Sequence, residues 1–205
     1  MAKIAQTIEP SGFLMCNTSN IEQMRCGRPQ TVMFEAGQNG VPVDGVLPNG
    51  TIVTLRDTMQ GTNKILDHVH AIQLEAQTAV IGKYIMVAPE INVQQYRRID
   101  NCVAKFALEE KETYTAYELQ KHDRIEYSEA YLAVPGVIPG VGDLLDIDAN
   151  GKLVAGGACL RVVSVRKQRL PMMMAADQGA VVAAGAQGVV LMPEAVNFIK
   201  VEVIA

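Results

Sequence analysis

The stretch Gly142–Val154 constrains this chain more than any other. Leu145 and Ile147 alternate with Asp146 and Asp148, a period of two that gives an extended strand one dry and one wet face. Asn150-Gly151 comes next, the dipeptide that most readily takes the two positive φ angles of a tight hairpin turn. A second apolar run, Ala158–Val165, comes soon after, so the stretch predicts a hairpin or meander. Val46–Leu55 echoes it: Asn49-Gly50 again separates two apolar runs, and residues 41–57 are expected to hold a first strand pair about that turn.

Similar signals recur along the chain. Residues 65–76 carry both helical spacing (Ile65, Val69, Ile72) and strand spacing (His68, His70, Ile72, Leu74). Their β neighbours favour strand. Further strands are expected at 83–88, 103–108, 113–119, 123–127 and 195–204, with a helical turn at 128–132. Phe198, Val201 and Val203 do not share one register, which suggests a bulge. About ten short strands separated by turn residues imply a mainly β fold, an antiparallel sandwich or barrel-like body with short helical turns. Residues 1–40 are dense in turn chemistry (Pro10-Ser-Gly12, Asn17–Asn20, Gly37–Gly40). They read as an extended N-terminal arm or as a segment packed on its own domain. Residues 41–205 form the β-rich body, and the two Asn-Gly turns suggest similar halves, 41–100 and 101–205. Residues 166–175 are expected to form a loop.

Composition narrows the function. The 205 residues carry a formal net charge of −4 and no polybasic run, which disfavours nucleic acid as a partner. No apolar run reaches the roughly 18 residues of a membrane span, and the N-terminus lacks the apolar centre of a signal peptide. The four cysteines, Cys16, Cys26, Cys102 and Cys159, form no Cys-x-x-Cys pair and are expected to be free thiols of a reducing cytosol.

Four groupings could carry chemistry or binding. Asp146, Asp148 and Asn150, with Gly151 at the sixth position, match the first half of a calcium loop. The twelfth position is Gly157, where a bidentate Glu is needed, so solvent-facing aspartates beside a turn are the competing reading. On a strand, His68 and His70 would share a face and could hold a transition metal beside Asp67, with His122 the one other histidine. Cys102 or a serine activated by His122 would be a nucleophile, but no nucleophile elbow or phosphate loop is present. Finally, Arg166, Lys167 and Arg169 precede Met172, Met173 and Met174, joining charge to adaptable apolar side chains at a prospective interface. Phe13, Met15, Arg25 and Arg28 are the corresponding candidates in the N-terminal segment. These residues imply no cofactor and no catalytic residue.

The run Phe106–Ser128, together with the Gly-Asp strand and Asn-Gly hairpin downstream of it, resembles head decoration (cement) proteins of tailed phages. The resembling parts are Tyr117-Glu-Leu119, Asp123-Arg-Ile125, Gly142-Asp143 and Asn150-Gly151, preceded by Val87–Glu90. The resemblance spans roughly residues 85–165. It rests on strand grammar and no invariant motif; His122 stands where a Gly usually precedes the second strand's Asp. It implies a non-enzymatic virion protein on the capsid exterior, assembled in the host bacterial cytoplasm. The implied partners are the major capsid protein and further copies of the chain, without membrane or nucleic acid. Another minor head or tail β protein is the nearest alternative. A small β-barrel metal-dependent enzyme using His68 and His70 is the alternative of a different class.

Overall fold

Twelve strands form among the residues that the computed structural model describes, 29–58, 68–87, 107–134, 136–169 and 195–205. Five close into a barrel: β1 (Pro29–Met33), β4 (His70–Gln73), β3 (Ile52–Thr58), β5 (Tyr84–Val87) and β7 (Tyr114–Glu118), neighbours in that order. Five more form an antiparallel sheet in the order β10 (Leu153–Ala155), β9 (Leu144–Ile147), β11 (Leu160–Arg169), β12 (Ala195–Val203) and β8 (Arg124–Ser128). β2 (Val46–Pro48) pairs with β6 (Ala107–Glu109), and a single 3-10 turn, Glu129–Tyr131, follows β8. The protein is therefore mainly β. Its one parallel strand pair among the described residues is β1 with β4.

Alternation explains how two cores share one wall. In β3, Ile52 and Val53 are both buried, as are Ile85 and Met86 in β5. Successive side chains leave a strand on opposite faces, and here each face meets a different core. Val53, Met86 and Ala116 pack with Val32, Phe34 and Ile72. Leu47 and Leu108, from the β2–β6 pair, join that cluster. Ile52, Ile85 and Leu119 instead pack with Leu145, Leu160 and Val201 of the five-stranded sheet. Full burial of such a side chain stabilises by about 1.5–3 kcal/mol, so strands buried on both faces anchor barrel and sheet together.

The two Asn-Gly turns behave differently. Asn150-Gly151 does join β9 to β10. Only Gly151 takes a positive φ, 76°; the loop is three residues long, closed by an Asp148 N–H to Lys152 O bond of 2.8 Å and by Asp148 Oδ1, which accepts from the N–H groups of Asn150 and Lys152. Asn49-Gly50 joins two strands that do not pair with each other: β2 pairs with β6, while β3 pairs with β4 and β5. The strand pair expected about this turn is thus replaced by a crossing from one sheet to another. The turn is held by Gly50 N–H to Met86 O at 2.9 Å.

These turns meet in space. A Cβ on Gly151 would lie 3.3 Å from Thr51 Cγ2 and 3.5 Å from Leu74 Cδ1. Tyr127 and Tyr131, with ring centroids 4.6 Å apart, donate their hydroxyls to Gly50 O at 3.0 Å and Asn49 O at 2.6 Å. Gln77 and Ile147 exchange both backbone hydrogen bonds, at 2.8 and 3.1 Å. The β9–β10 tip, the tyrosine pair and this bridge together form a joint between barrel and sheet.

Several boundaries differ from the sequence reading. Pro29–Met33 is a barrel strand, and Val32 and Phe34 are core residues, so the body includes residues from 29 onward; residues 1–28 lie outside the described residues. The proposed halves do not match the two sheets, because β7 closes the barrel and β6 pairs with β2 across the division at residue 100. Of the segment 65–76, His70–Gln73 forms β4. The bulge lies on β11, where the register shifts between Val162 and Ser164. Ile199, Val201 and Val203 of β12 face the shared core, while Phe198 lies under the Arg166 guanidinium, 5.6 Å from its ring centroid.

Candidate functional site

The basic run expected to be a loop is the second half of β11, paired with β12 through Arg169. Arg166 meets Glu126 with both forks, Nε to Oε1 at 2.5 Å and Nη2 to Oε2 at 2.7 Å. Glu126 is 2% exposed, so Arg166 neutralises a buried carboxylate and covers Phe198. Its first role is structural. Lys167 is exposed beside it. The side chain of Arg169 lies outside the described residues, as do Phe13, Met15, Arg25, Arg28, Met172, Met173 and Met174.

The hairpin carboxylates are occupied by the backbone. Asp146 Oδ1 accepts from the N–H groups of Ala158 and Cys159, at 2.7 and 3.1 Å. Burial works against its ionisation, but those two amides outweigh it and hold the carboxyl below its ordinary value of 3.8. Asp148 serves the turn as described, and Asn150 is exposed. A Cβ at Gly157 would collide with the backbone and carboxyl group of Asp146, so the close approach of these two residues explains the glycine where a calcium loop needs Glu.

The histidines are separated. His68 is exposed ahead of β4 and His70 opens it. His70 Nδ1 lies 3.0 Å from Arg56 O; a carbonyl only accepts, so Nδ1 carries a proton, and in the neutral ring Nε2 is then the acceptor. His122, at a left-handed φ of 75°, belongs to the far sheet, with Nδ1 2.8 Å from Glu202 Oε1. Glu202 also accepts from Arg161 at 2.8 Å. The Arg161 bond, then the His122 bond, hold its carboxyl below the ordinary 4.5 despite burial. Asp67 and Cys102 lie outside the described residues. Among the described residues, no group of three His, Cys, Asp or Glu side chains is placed to hold a metal ion.

Cys159 is a free, buried thiol, donating weakly toward Leu145 O at 3.3 Å. Burial, then the neighbouring Asp146, push it up to about 12, so it stays protonated and unreactive.

Among the described residues, a concave site lies at one end of the barrel. A cleft of about 630 Å³ opens where β3 ends and β1, β4 and β5 begin. Gln30, Arg56, Asp57, His70 and Tyr84 line it with Lys83. On one side Lys83 Nζ donates to Thr54 Oγ1 at 3.0 Å and lies 3.6 Å from Glu75. Thr54 in turn donates to Glu75 Oε1 at 2.7 Å. Arg56 Nη1 donates to Asn39 Oδ1 at 2.7 Å. Apart from His70, weighed as a metal ligand, the sequence reading missed this group. Its members come from four strands, and no spacing along the chain joins them. The legible signal was modest: Arg56-Asp57 follows the β-forming run Ile52–Leu55.

No helix among the described residues is long and apolar enough to cross a membrane. No protein-family profile, curated protein or solved structure matches the chain.

Proposed function

We propose that the chain is a structural protein of a tailed-phage particle, a decoration protein that binds the outside of the major capsid lattice and stabilises the head. The order of strands in the resembling stretch carries this reading. Tyr117–Leu119 ends β7, Asp123–Ile125 leads into β8, Gly142-Asp143 precedes β9, and Asn150-Gly151 turns β9 into β10. The jointed barrel and sheet give the rigid body that a clamp requires. Val134, Val137 and Val141, 63%, 62% and 70% exposed in the connector before β9, are apolar side chains open to contact with a protein partner. Lattice binding of this kind works by many modest contacts that must be released together.

Density-gradient sedimentation of the native source, with this chain followed by mass spectrometry, tests the reading. Co-migration with megadalton particles at a fixed ratio to one abundant protein is the expected result. Migration as a free small oligomer would remove the reading.

A further inference from the structure

We propose that the open end of the barrel is a binding site for a neutral saccharide unit. This goes beyond the capsid reading and does not depend on it.

The cleft's charges balance. Arg56 and Lys83 are offset by Asp57 in the lining and by Glu75, which Lys83 meets at 3.6 Å. A phosphate or a nucleic acid would call for uncommitted cations; of the two that line the cleft, Asp57 offsets one and Glu75, just outside it, holds the other. Its polar groups are instead mixed and available. Among the described residues, the Gln30 amide, the Tyr84 hydroxyl and the Asp57 carboxylate have no side-chain hydrogen-bond partner. In the neutral ring, His70 presents Nε2 as an acceptor because Arg56 O fixes the proton on Nδ1. Arg56 uses Nη1 on Asn39, and its remaining N–H groups are donors.

Acceptors and donors thus line one concavity together. A sugar ring presents hydroxyls that both donate and accept, so it can satisfy such a set, which a simple anion or an apolar ligand cannot. Leu55, Ile81 and the Tyr84 ring supply apolar surface beside these groups, suited to the C–H face of a pyranose. The volume, about 630 Å³, lies within the range that small ligands occupy. The partly exposed rim suits a terminal sugar on a larger glycan.

The test is ligand-observed NMR of the full chain with the methyl glycosides of glucose, galactose, mannose, rhamnose and N-acetylglucosamine, and separately with inorganic phosphate. At least one glycoside is expected to bind. Asp57→Ala and Gln30→Ala should each weaken it about ten-fold, the scale of losing one hydrogen bond to a charged or well-placed group. Lys121→Ala, in the exposed turn before β8, should leave binding unchanged. Both cleft variants change residues outside the two cores, and their folded state is checked by melting temperature. Absence of binding by every glycoside would overturn the proposal. So would undiminished binding by folded Asp57→Ala and Gln30→Ala variants, or binding of phosphate in place of the sugars.

Discussion

At Asn150-Gly151 the chain reverses within one sheet, and β9 runs back as β10; at Asn49-Gly50 it leaves the β2–β6 pair and enters the barrel. The first turn is closed by its own residues, through Asp148 Oδ1. The second is closed locally as well, by the Thr51 N–H and Oγ1 donating to Pro48 O at 3.3 and 2.6 Å, but it is also held from outside, by Met86 O and by the hydroxyls of Tyr127 and Tyr131. The dipeptide makes both turns possible, since each glycine takes a positive φ, 89° at Gly50 and 76° at Gly151. What the chain does after the turn depends on partners far away in sequence. Local bonds close both turns, and distant bonds make the second one a joint.

The largest effect should come from the distant partners. Replacing Tyr127 and Tyr131 together by Phe removes both hydroxyls while keeping the rings. It should cost about 2–4 kcal/mol, the sum of two buried hydrogen bonds whose acceptors are left dry. A drop in melting temperature of roughly 2–4 °C per kcal/mol is expected for a chain of this size. A change under about 2 °C would show that the carbonyls of Asn49 and Gly50 are satisfied without the tyrosines.

Gly151→Ala should cost about 1–3 kcal/mol. The positive φ strains any L side chain, and the added methyl meets Thr51 Cγ2 at 3.3 Å. Urea unfolding that matched the wild-type midpoint would mean that the hairpin tip does not press on the barrel.

Asp148→Ala touches only the locally closed turn and should cost about 0.5–2 kcal/mol, like the loss of a cap. Backbone amide shifts in an NMR spectrum should change around residues 148–152 and stay unchanged at Asn49 and Gly50. Changes at both turns would break the distinction between them.

The smallest effect concerns the outer face of the sheet, away from the joint. Arg161 and His122 hold the Glu202 carboxyl below 4.5. A depressed carboxylate contributes stability above its unfolded value and loses it as pH falls through the folded one. Glu202→Gln should therefore be less stable than wild type at neutral pH, and the difference should shrink as pH drops below 4.5. The loss in the tyrosine variant should not vary over the same range. Melting curves between neutral and acid pH separate the two cases.

The β character was legible because alternation and turn residues are local signals. Leu145 and Ile147 face the core and Asp146 faces away, as their period of two requires. The helical turn after β8 was also legible, from Ser128–Leu132. Strand partners were not. Nothing near Val46 or Ile52 says that one pairs with β6 and the other with β4 and β5. The basic run at Arg166 looked like a loop because its charge was visible and its partner was not. Glu126, 40 residues away, turns that charge into part of a strand. The cleft was hidden for the same reason: Gln30, Arg56, His70 and Tyr84 converge only when the barrel closes.

Native-state hydrogen exchange at the Gln77–Ile147 bridge tests most directly whether barrel and sheet form one body. The amides of Gln77 and Ile147 span the two units. They should exchange with the same opening free energy as the core amides of Val53 in the barrel and Val201 in the sheet, and only through global unfolding. Exchange at the bridge through a lower-energy opening, while both cores stay protected, would show two units that move independently and would contradict the account.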